Sequence, residues 1–133
     1  MKNFQKLNET FFIYLYSFLW IVLLPLILLY FLKRSIKEPE YRKNLKERFG
    51  FYNSSLNKSI WIHTASLGEF RASVPFIKKL LKKKEVIIIT TLTPAGRLEV
   101  KKTFKEDILK KNLIVVYLPF EISICIKSFF FKF

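Results

Sequence analysis

The first apolar pattern in the chain is a long uninterrupted run. Between Phe11 and Leu32 the sequence FFIYLYSFLWIVLLPLILLYFL contains no charged residue. At about 1.5 Å per residue, a helix of this length crosses the roughly 30 Å hydrocarbon core of a bilayer. The run therefore predicts a membrane anchor over residues 1–34, with the helix at about residues 11–32.

The charges flanking this run predict its orientation. Lys33, Arg34 and three further basic residues up to Lys43 follow it, whereas only Lys2 and Lys6 precede it. Because cytoplasmic flanks carry the excess of positive charge, we expect a single-pass anchor with the rest of the chain in the cytoplasm. A cleaved signal peptide is the competing interpretation. Its apolar core is shorter, about 7–15 residues, and is followed by small residues rather than by KRSIKEPEYRK.

Residues 35–59 follow as a basic segment and a linker. Glu38-Pro39-Glu40 is typical of a helix start, and Gly50 suits the position just past a helix end. The basic side chains of this predicted juxtamembrane helix are Arg42, Lys43, Lys46 and Arg48. With little apolar surface beside them, they are expected to meet anionic headgroups or solvent. FYNSSLNKS then has the composition of a linker.

Three short apolar runs lie in residues 60–133. They are Ile60–Ile62, Val86–Ile89 and Leu113–Tyr117, rich in β-branched residues and without alternation. Such runs are typical of parallel strands buried on both faces. We therefore predict a parallel sheet.

Helical patterns follow each of these runs. In the first, Phe70, Val74, Ile77 and Leu81 recur at three- and four-residue spacings, which places them on one face. The second begins at Thr93-Pro94, and the third covers Glu121 to about Phe131. The order β-α-β-α-β-α predicts an α/β domain that is one Rossmann-like half of a doubly wound sheet.

Composition adds a strong positive charge. The 24 Lys and Arg against 10 Asp and Glu give a formal charge of +14, which indicates an anionic partner. Nucleic acid is disfavoured because no recognised nucleic-acid motif appears and the charge clusters beside the apolar run. The single cysteine, Cys125, cannot form an internal disulfide. With one histidine, His63, and neither GxGxxG nor a P-loop, the sequence predicts no metal and no cofactor.

Candidate chemistry lies in two loops at the carboxyl ends of the first two strands, where such sheets bind ligands. Glu69, in Thr64–Glu69, has two interpretations: an acid that favours a helix start, or a general base that accepts a proton from a hydroxyl nucleophile. Gly68 would let a ligand approach, and Ser66 would shape the turn or bind a sugar hydroxyl. Thr91 and Thr93, with the amides opening the second helix, predict an anion site, although Thr93 is first of all a helix cap. His63 is assigned a structural role.

Three motifs read together resemble a known family. WIHTASLGEFRASVPFIKKL, ITTLTPAGRLEV and VVYLPFE, in this order, resemble the N-terminal half of the Kdo (3-deoxy-D-manno-octulosonic acid) transferases. The resemblance implies a GT-B-type glycosyltransferase at the bacterial inner membrane that transfers Kdo from CMP-Kdo to a lipid A precursor in lipopolysaccharide synthesis. It also implies that Glu69, the Glu of the S-x-G-E motif, is the general base.

The resemblance sets further expectations for the domains. Residues 60–133 would be the acceptor-side domain, truncated, and the C-terminal domain that holds CMP-Kdo would be absent, so the chain is expected to be inactive alone. Glu121 stands where the family usually has an Asp. The alternative is a non-catalytic, membrane-anchored basic module that binds anionic lipid or a partner protein.

Overall fold

A computed structural model describes residues 2–56 and 58–133, with side chains from Phe11 onward. The chain begins with a helix, α1 (Lys2–Lys37), followed by a 3₁₀ turn (Pro39–Tyr41) and a short helix, α2 (Leu45–Arg48). The α/β part then comprises β1 (Ile60–Thr64), α3 (Leu67–Lys82), β2 (Ile87–Thr91), α4 (Pro94–Thr103), α5 (Lys105–Leu109), β3 (Leu113–Tyr117) and α6 (Ser123–Lys132).

The strands form one parallel sheet in the order β1-β2-β3. Thr64 is paired with Thr91, and Thr91 with Tyr117, so the three carboxyl ends form one row. Helices separate the strands as the sequence predicts, and the α/β fold class with a parallel sheet and an N-terminal apolar helix is confirmed. The loops carrying the candidate residues therefore leave the sheet at one edge.

Hydrophobic residues cover both faces of the central strand. On one face Phe70 and Ile77 of α3 are fully buried against Ile87, Ile89 and neighbours from α4 and β3. This confirms the helical stripe predicted for α3. On the other face Tyr52 and Phe129 pack on Ile88 and Val116. All five residues of β2 are buried, as expected for the middle of the sheet.

The expectation that every strand is buried on both faces is wrong for β1. Trp61 is 44% exposed, and His63 is also exposed, while Ile60 and Ile62 are partly covered. In the described part of the chain β1 has a neighbour on one side only. Its burial alternates because the face that carries Trp61 and His63 is only partly covered, by Phe129 and Phe130 of α6 against the Trp61 ring.

The predicted juxtamembrane helix is not continuous. Asn44 adopts a left-handed conformation (φ 57°), which separates the 3₁₀ turn from α2. Asn is one of the few residues that visits this conformation readily. Gly50 follows at φ +83°, where an added Cβ would lie 2.9 Å from the Ser128 Cβ. The segment therefore turns back onto the sheet instead of extending as one basic helix.

The residues of α1 from Phe11 to Lys37 have the length and apolar composition of a membrane span. One stripe of α1 also contacts the α/β part through Phe120. The Phe120 ring lies 6.1 Å from Trp20 and 6.3 Å from Phe31, measured between centroids. Beyond these, Tyr16 donates a hydrogen bond to Glu121.

Candidate active site

Glu69 lies in the first turn of α3, directly after the carboxyl end of β1. Ser66 is the N-cap of α3, with extended backbone (φ −124°, ψ 162°), and its Oγ accepts a hydrogen bond from the Glu69 amide at 3.2 Å. The Glu69 carboxylate reaches back: Oε2 accepts from the Ala65 amide at 2.9 Å and Oε1 from the Ser66 hydroxyl at 3.0 Å. This reciprocal arrangement closely matches a capping box, with its carboxylate bond shifted to the residue before the N-cap.

These hydrogen bonds also set the protonation state of Glu69. The Ala65 amide, followed by the Ser66 hydroxyl, lowers the pKa of the Glu69 carboxyl from its ordinary value. Because its pKa is lowered and its side chain is exposed to water, Glu69 is ionised at neutral pH. An ionised carboxylate offers about four lone-pair sites, and the cap uses two. Glu69 can thus accept a proton from solvent or ligand without leaving the cap.

Gly68 forms an open surface next to Glu69. It is exposed, and an added Cβ would meet only the Ser66 Oγ, at the ordinary contact distance of 3.9 Å. The neighbouring packing therefore does not require glycine here. Gly96, in the second loop, is different, because an added Cβ would lie 3.2 Å from the Thr93 Oγ1.

The two threonines of the second loop have separate roles in the structure. Thr93 is the N-cap of α4, and its Oγ1 accepts a hydrogen bond from the Gly96 amide at 3.2 Å. Thr91 is fully buried at the end of β2. Its hydroxyl and that of the adjacent Thr64 make no hydrogen bond to any residue that the structure describes. Anion binding by Thr91 and Thr93 stays a prediction, and Thr91 would need a local opening to contact a ligand.

His63 is held by the neighbouring strand. Its Nδ1 lies 2.9 Å from the Thr90 Oγ1, which also accepts a hydrogen bond from the Trp61 indole at 2.8 Å. Thr90 is fully buried, so this network ties the exposed ring to the sheet. A structural role explains His63 fully.

A second polar cluster, which the sequence interpretation missed, lies at the carboxyl ends of β2 and β3. Glu47 of α2 forms a bidentate ion pair with Arg97 of α4. Its Oε2 also accepts a hydrogen bond from the Tyr117 backbone amide at 2.8 Å. Arg48 donates to the Leu92 carbonyl at 2.6 Å. The guanidinium carbons of Arg48 and Arg97 lie 4.3 Å and 4.6 Å from the Tyr117 ring centroid.

This cluster corrects the expectation for Arg48. Its side chain is 5% exposed and is directed into the protein, not toward lipid headgroups. The stretch ERF gave no local signal for this, because Glu47 and its partners Arg97 and Tyr117 are 50 and 70 residues apart. Among the described residues, no three His, Cys, Asp or Glu side chains come together as metal ligands.

Comparison with known proteins places this fold and these loops in a family. A family model described as "3-Deoxy-D-manno-octulosonic-acid transferase (kdotransferase)" matches residues 43–133, which include Glu69. A "3-deoxy-D-manno-octulosonic acid transferase" of Haemophilus influenzae is 35% identical over 121 residues, covering 87% of this chain and 27% of that protein. One of Bordetella pertussis is 34% identical over 62 residues, covering 47% of this chain and 14% of that protein.

The match thus covers 27% of the length of the first relative and 14% of the length of the second. No solved structure matches it significantly. Because the family model covers more than half of the chain and includes both candidate loops, the chain belongs to the 3-deoxy-D-manno-octulosonic acid transferases, a family of glycosyltransferases.

Proposed function

We propose that this chain forms the acceptor side of an enzyme that transfers Kdo from CMP-Kdo to a lipid A precursor. The observation that carries the proposal is the ionised, exposed carboxylate of Glu69 at the ligand edge of the sheet, in a chain of this family. Ser66 and Gly68 border that carboxylate and leave room above the turn. The acceptor hydroxyl would be bound there.

In the proposed reaction Glu69 is the general base. As the acceptor oxygen attacks the anomeric carbon of Kdo, its proton passes to the Glu69 carboxylate, and CMP leaves with the electrons of the broken bond. The capping hydrogen bonds keep the carboxylate ionised and oriented, and the lowered pKa makes it a weaker base in exchange. Positioned general bases typically accelerate such steps about 10²–10⁴-fold.

The proposed location is the inner membrane of a bacterium. The span Phe11–Lys37 would anchor the chain, and the basic residues after it would keep the α/β part in the cytoplasm. A lipid-linked acceptor would then be presented at the same surface. We expect alkaline carbonate to leave the full chain in the membrane fraction.

The direct test separates the base from the cap. Glutamine can serve at this position of a capping box, so Glu69→Gln should keep the fold and lose the base. The full chain is joined to the part of the Haemophilus influenzae relative that lies beyond the matched segment, and Kdo transfer to a lipid A precursor is measured. We expect transfer by the joined protein, none by the chain alone, and a loss of about 10²–10⁴-fold with Glu69→Gln.

Glu99→Gln is the matched control. Glu99 of α4 is a partly buried carboxylate. It pairs with Arg71 of α3 and takes no part in the hydrogen bonds of the Ser66 cap. Its substitution should leave transfer nearly unchanged. Full activity of Glu69→Gln in a folded joined protein would contradict the assignment of the base.

A further inference from the structure

An apolar crevice lies between the C-terminal end of α1 and the segment around α2. Its first compartment, of about 180 Å³, is lined by Leu28, Phe31 and Leu32 of α1 and by Tyr41 and Leu45. A second compartment, of about 330 Å³, continues past Leu45 to Phe49 and Phe51. Phe51 is 70% exposed, so this apolar surface is open at one end.

Basic side chains form one rim of this crevice. Arg42 borders the first compartment and Lys46 the second, and both also line an adjoining polar cavity of about 450 Å³. The Arg42 Nε donates to the Ser35 hydroxyl at 2.7 Å, which fixes the guanidinium against α1. Glu47 is the acid of the polar cavity, and its carboxylate is engaged by Arg97 and the Tyr117 amide.

The crevice also lies at a defined level along α1. Leu28, Phe31 and Leu32 are the last apolar turn before Lys33 and Arg34. If α1 is inserted as proposed, this turn lies just below the headgroups, and Arg42 and Lys46 lie beside them. An apolar slot with a basic rim at this level complements one molecule that has an acyl chain and a phosphate.

We propose that this crevice binds an anionic phospholipid, with an acyl chain along Leu45, Phe49 and Phe51 and the phosphate on Arg42 and Lys46. The level of the site relative to the bilayer depends on the proposed membrane anchor. The composition of the crevice does not depend on it. Bound lipid would fill the space between α1 and α2 and hold the two together.

The experiment places a photoreactive benzophenone side chain at position 51 of the full chain. The protein is kept in mixed micelles that contain phosphatidylglycerol and phosphatidylcholine in equal amounts, so membrane insertion is not needed. Cross-linked lipid is identified by mass spectrometry. We expect preferential cross-linking of phosphatidylglycerol, and a selectivity about fivefold lower in Arg42→Gln and again in Lys46→Gln.

Matched substitutions control for charge and for the position of the probe. Lys78→Gln and Lys79→Gln remove the same charge from the exposed face of α3 and should leave the selectivity unchanged. A benzophenone at Phe76, an exposed aromatic position on α3, should show no preference between the two lipids.

The outcomes separate the crevice from the proposed function. Equal yields from the two lipids at position 51 would overturn the crevice and leave the anchor and the transferase proposal standing. Displacement of phosphatidylglycerol by a lower concentration of lipid A precursor would also overturn it, since the occupant would then be the acceptor. Selective cross-linking in a chain that carbonate releases from membranes would support the crevice and contradict the anchor.

Discussion

The ring of Tyr117 lies against two arginine side chains, only one of which has a carboxylate partner among the residues that the structure describes. Arg97 is paired with Glu47, whereas Arg48 meets the Leu92 carbonyl and the ring of Phe31 at 4.9 Å. Burial lowers the pKa of the Arg48 guanidinium from its ordinary value. The group stays charged, because arginine is not deprotonated in proteins. Aromatic faces supply part of the stabilisation that water would give.

Loss of the Glu47 charge should be costly. Both side chains of the Glu47–Arg97 pair are largely buried, at 14% and 9% exposed. Glu47→Gln leaves Arg97 without a counter-charge, so we expect the free energy of unfolding to fall by about 3 kcal/mol, measured by chemical denaturation in detergent. Exposed Glu106, replaced by Gln, serves as the control. A double Glu47→Met, Arg97→Met variant should recover much of the loss, and no recovery would contradict a role based on charge.

Gly68 and Gly50 should respond differently to alanine. At Gly68 the added methyl meets the Ser66 Oγ at the ordinary contact distance of 3.9 Å, so stability should stay within about 0.5 kcal/mol. The KM for acceptor should rise, because the proposed acceptor site borders this turn. At Gly50 the positive φ and the contact with Ser128 should cost more than about 1 kcal/mol. Thermal unfolding and the transfer assay read the two effects separately. An unchanged KM in Gly68→Ala would place the acceptor elsewhere.

Among the helices, α3 carries the candidate base, Glu69, in its first turn. The Ser66 N-cap of the same helix accepts a hydrogen bond from the backbone amide of Glu69. Ser66→Ala removes the N-cap acceptor and should lower the free energy of unfolding by about 1 kcal/mol. It also removes one hydrogen bond to the Glu69 carboxylate, so the pKa of that group should rise. A shift of the acidic limb of the transfer rate toward higher pH would report this change, and an unshifted limb would argue against Glu69 as the titrating base.

The pH dependence of this cap has a definite sign. The pKa of Glu69 is lowered in the folded state, so its stabilising contribution is present above the pKa of the unfolded chain. It is lost as the pH falls through the lowered folded value. The difference in unfolding free energy between the natural chain and Glu69→Gln should therefore be constant near neutral pH and change only in acid. A change between pH 6 and 8 would contradict the lowered pKa.

Local patterns predicted the elements whose neighbours are close in sequence. The stripe through Phe70 and Ile77, the cap at Thr93 and the strand Leu113–Tyr117 all follow from local spacing and residue type. The left-handed Asn44 and the exposed face of β1 depend on what packs beside them, so spacing could not reveal either. Burial of Arg48 and Glu47 likewise required contacts about 50 residues away.

On the scale of the whole molecule, one stripe of α1 contacts the α/β part and also belongs to the proposed membrane span. Its contacts with the α/β part extend from Tyr16 and Ser17 to Phe31, within the span proposed to enter the bilayer. Ser17 is sixteen residues before Lys33, about 24 Å along the helix. The α/β part cannot follow the helix to that depth, because its exposed polar groups would have no hydrogen-bond partners in the hydrocarbon core. We expect α1 to keep its contacts near Phe31 and release those near Ser17 when it inserts.

A disulfide can test this release. The Ser17 and Ser123 hydroxyls lie 3.4 Å apart, so Ser17→Cys with Ser123→Cys, in a Cys125→Ser background, should cross-link in detergent. In lipid nanodiscs the bond should form much more slowly. Pairing at equal rates in both would show that α1 stays docked and is not inserted as a span. A Ser17→Cys, Ser73→Cys pair controls for random collision.

The packing of α6 on Gly50 gives the chain a built-in reporter of its own opening. Cys125 is the single thiol, 4% exposed, and its backbone lies against the Gly50 turn, where the Ser128 hydroxyl donates to the Gly50 carbonyl at 2.6 Å. Burial raises the pKa of the thiol, which slows its reaction further. Alkylation must therefore wait for α6 to separate from the turn, and its rate in the unmodified protein measures how often that junction opens.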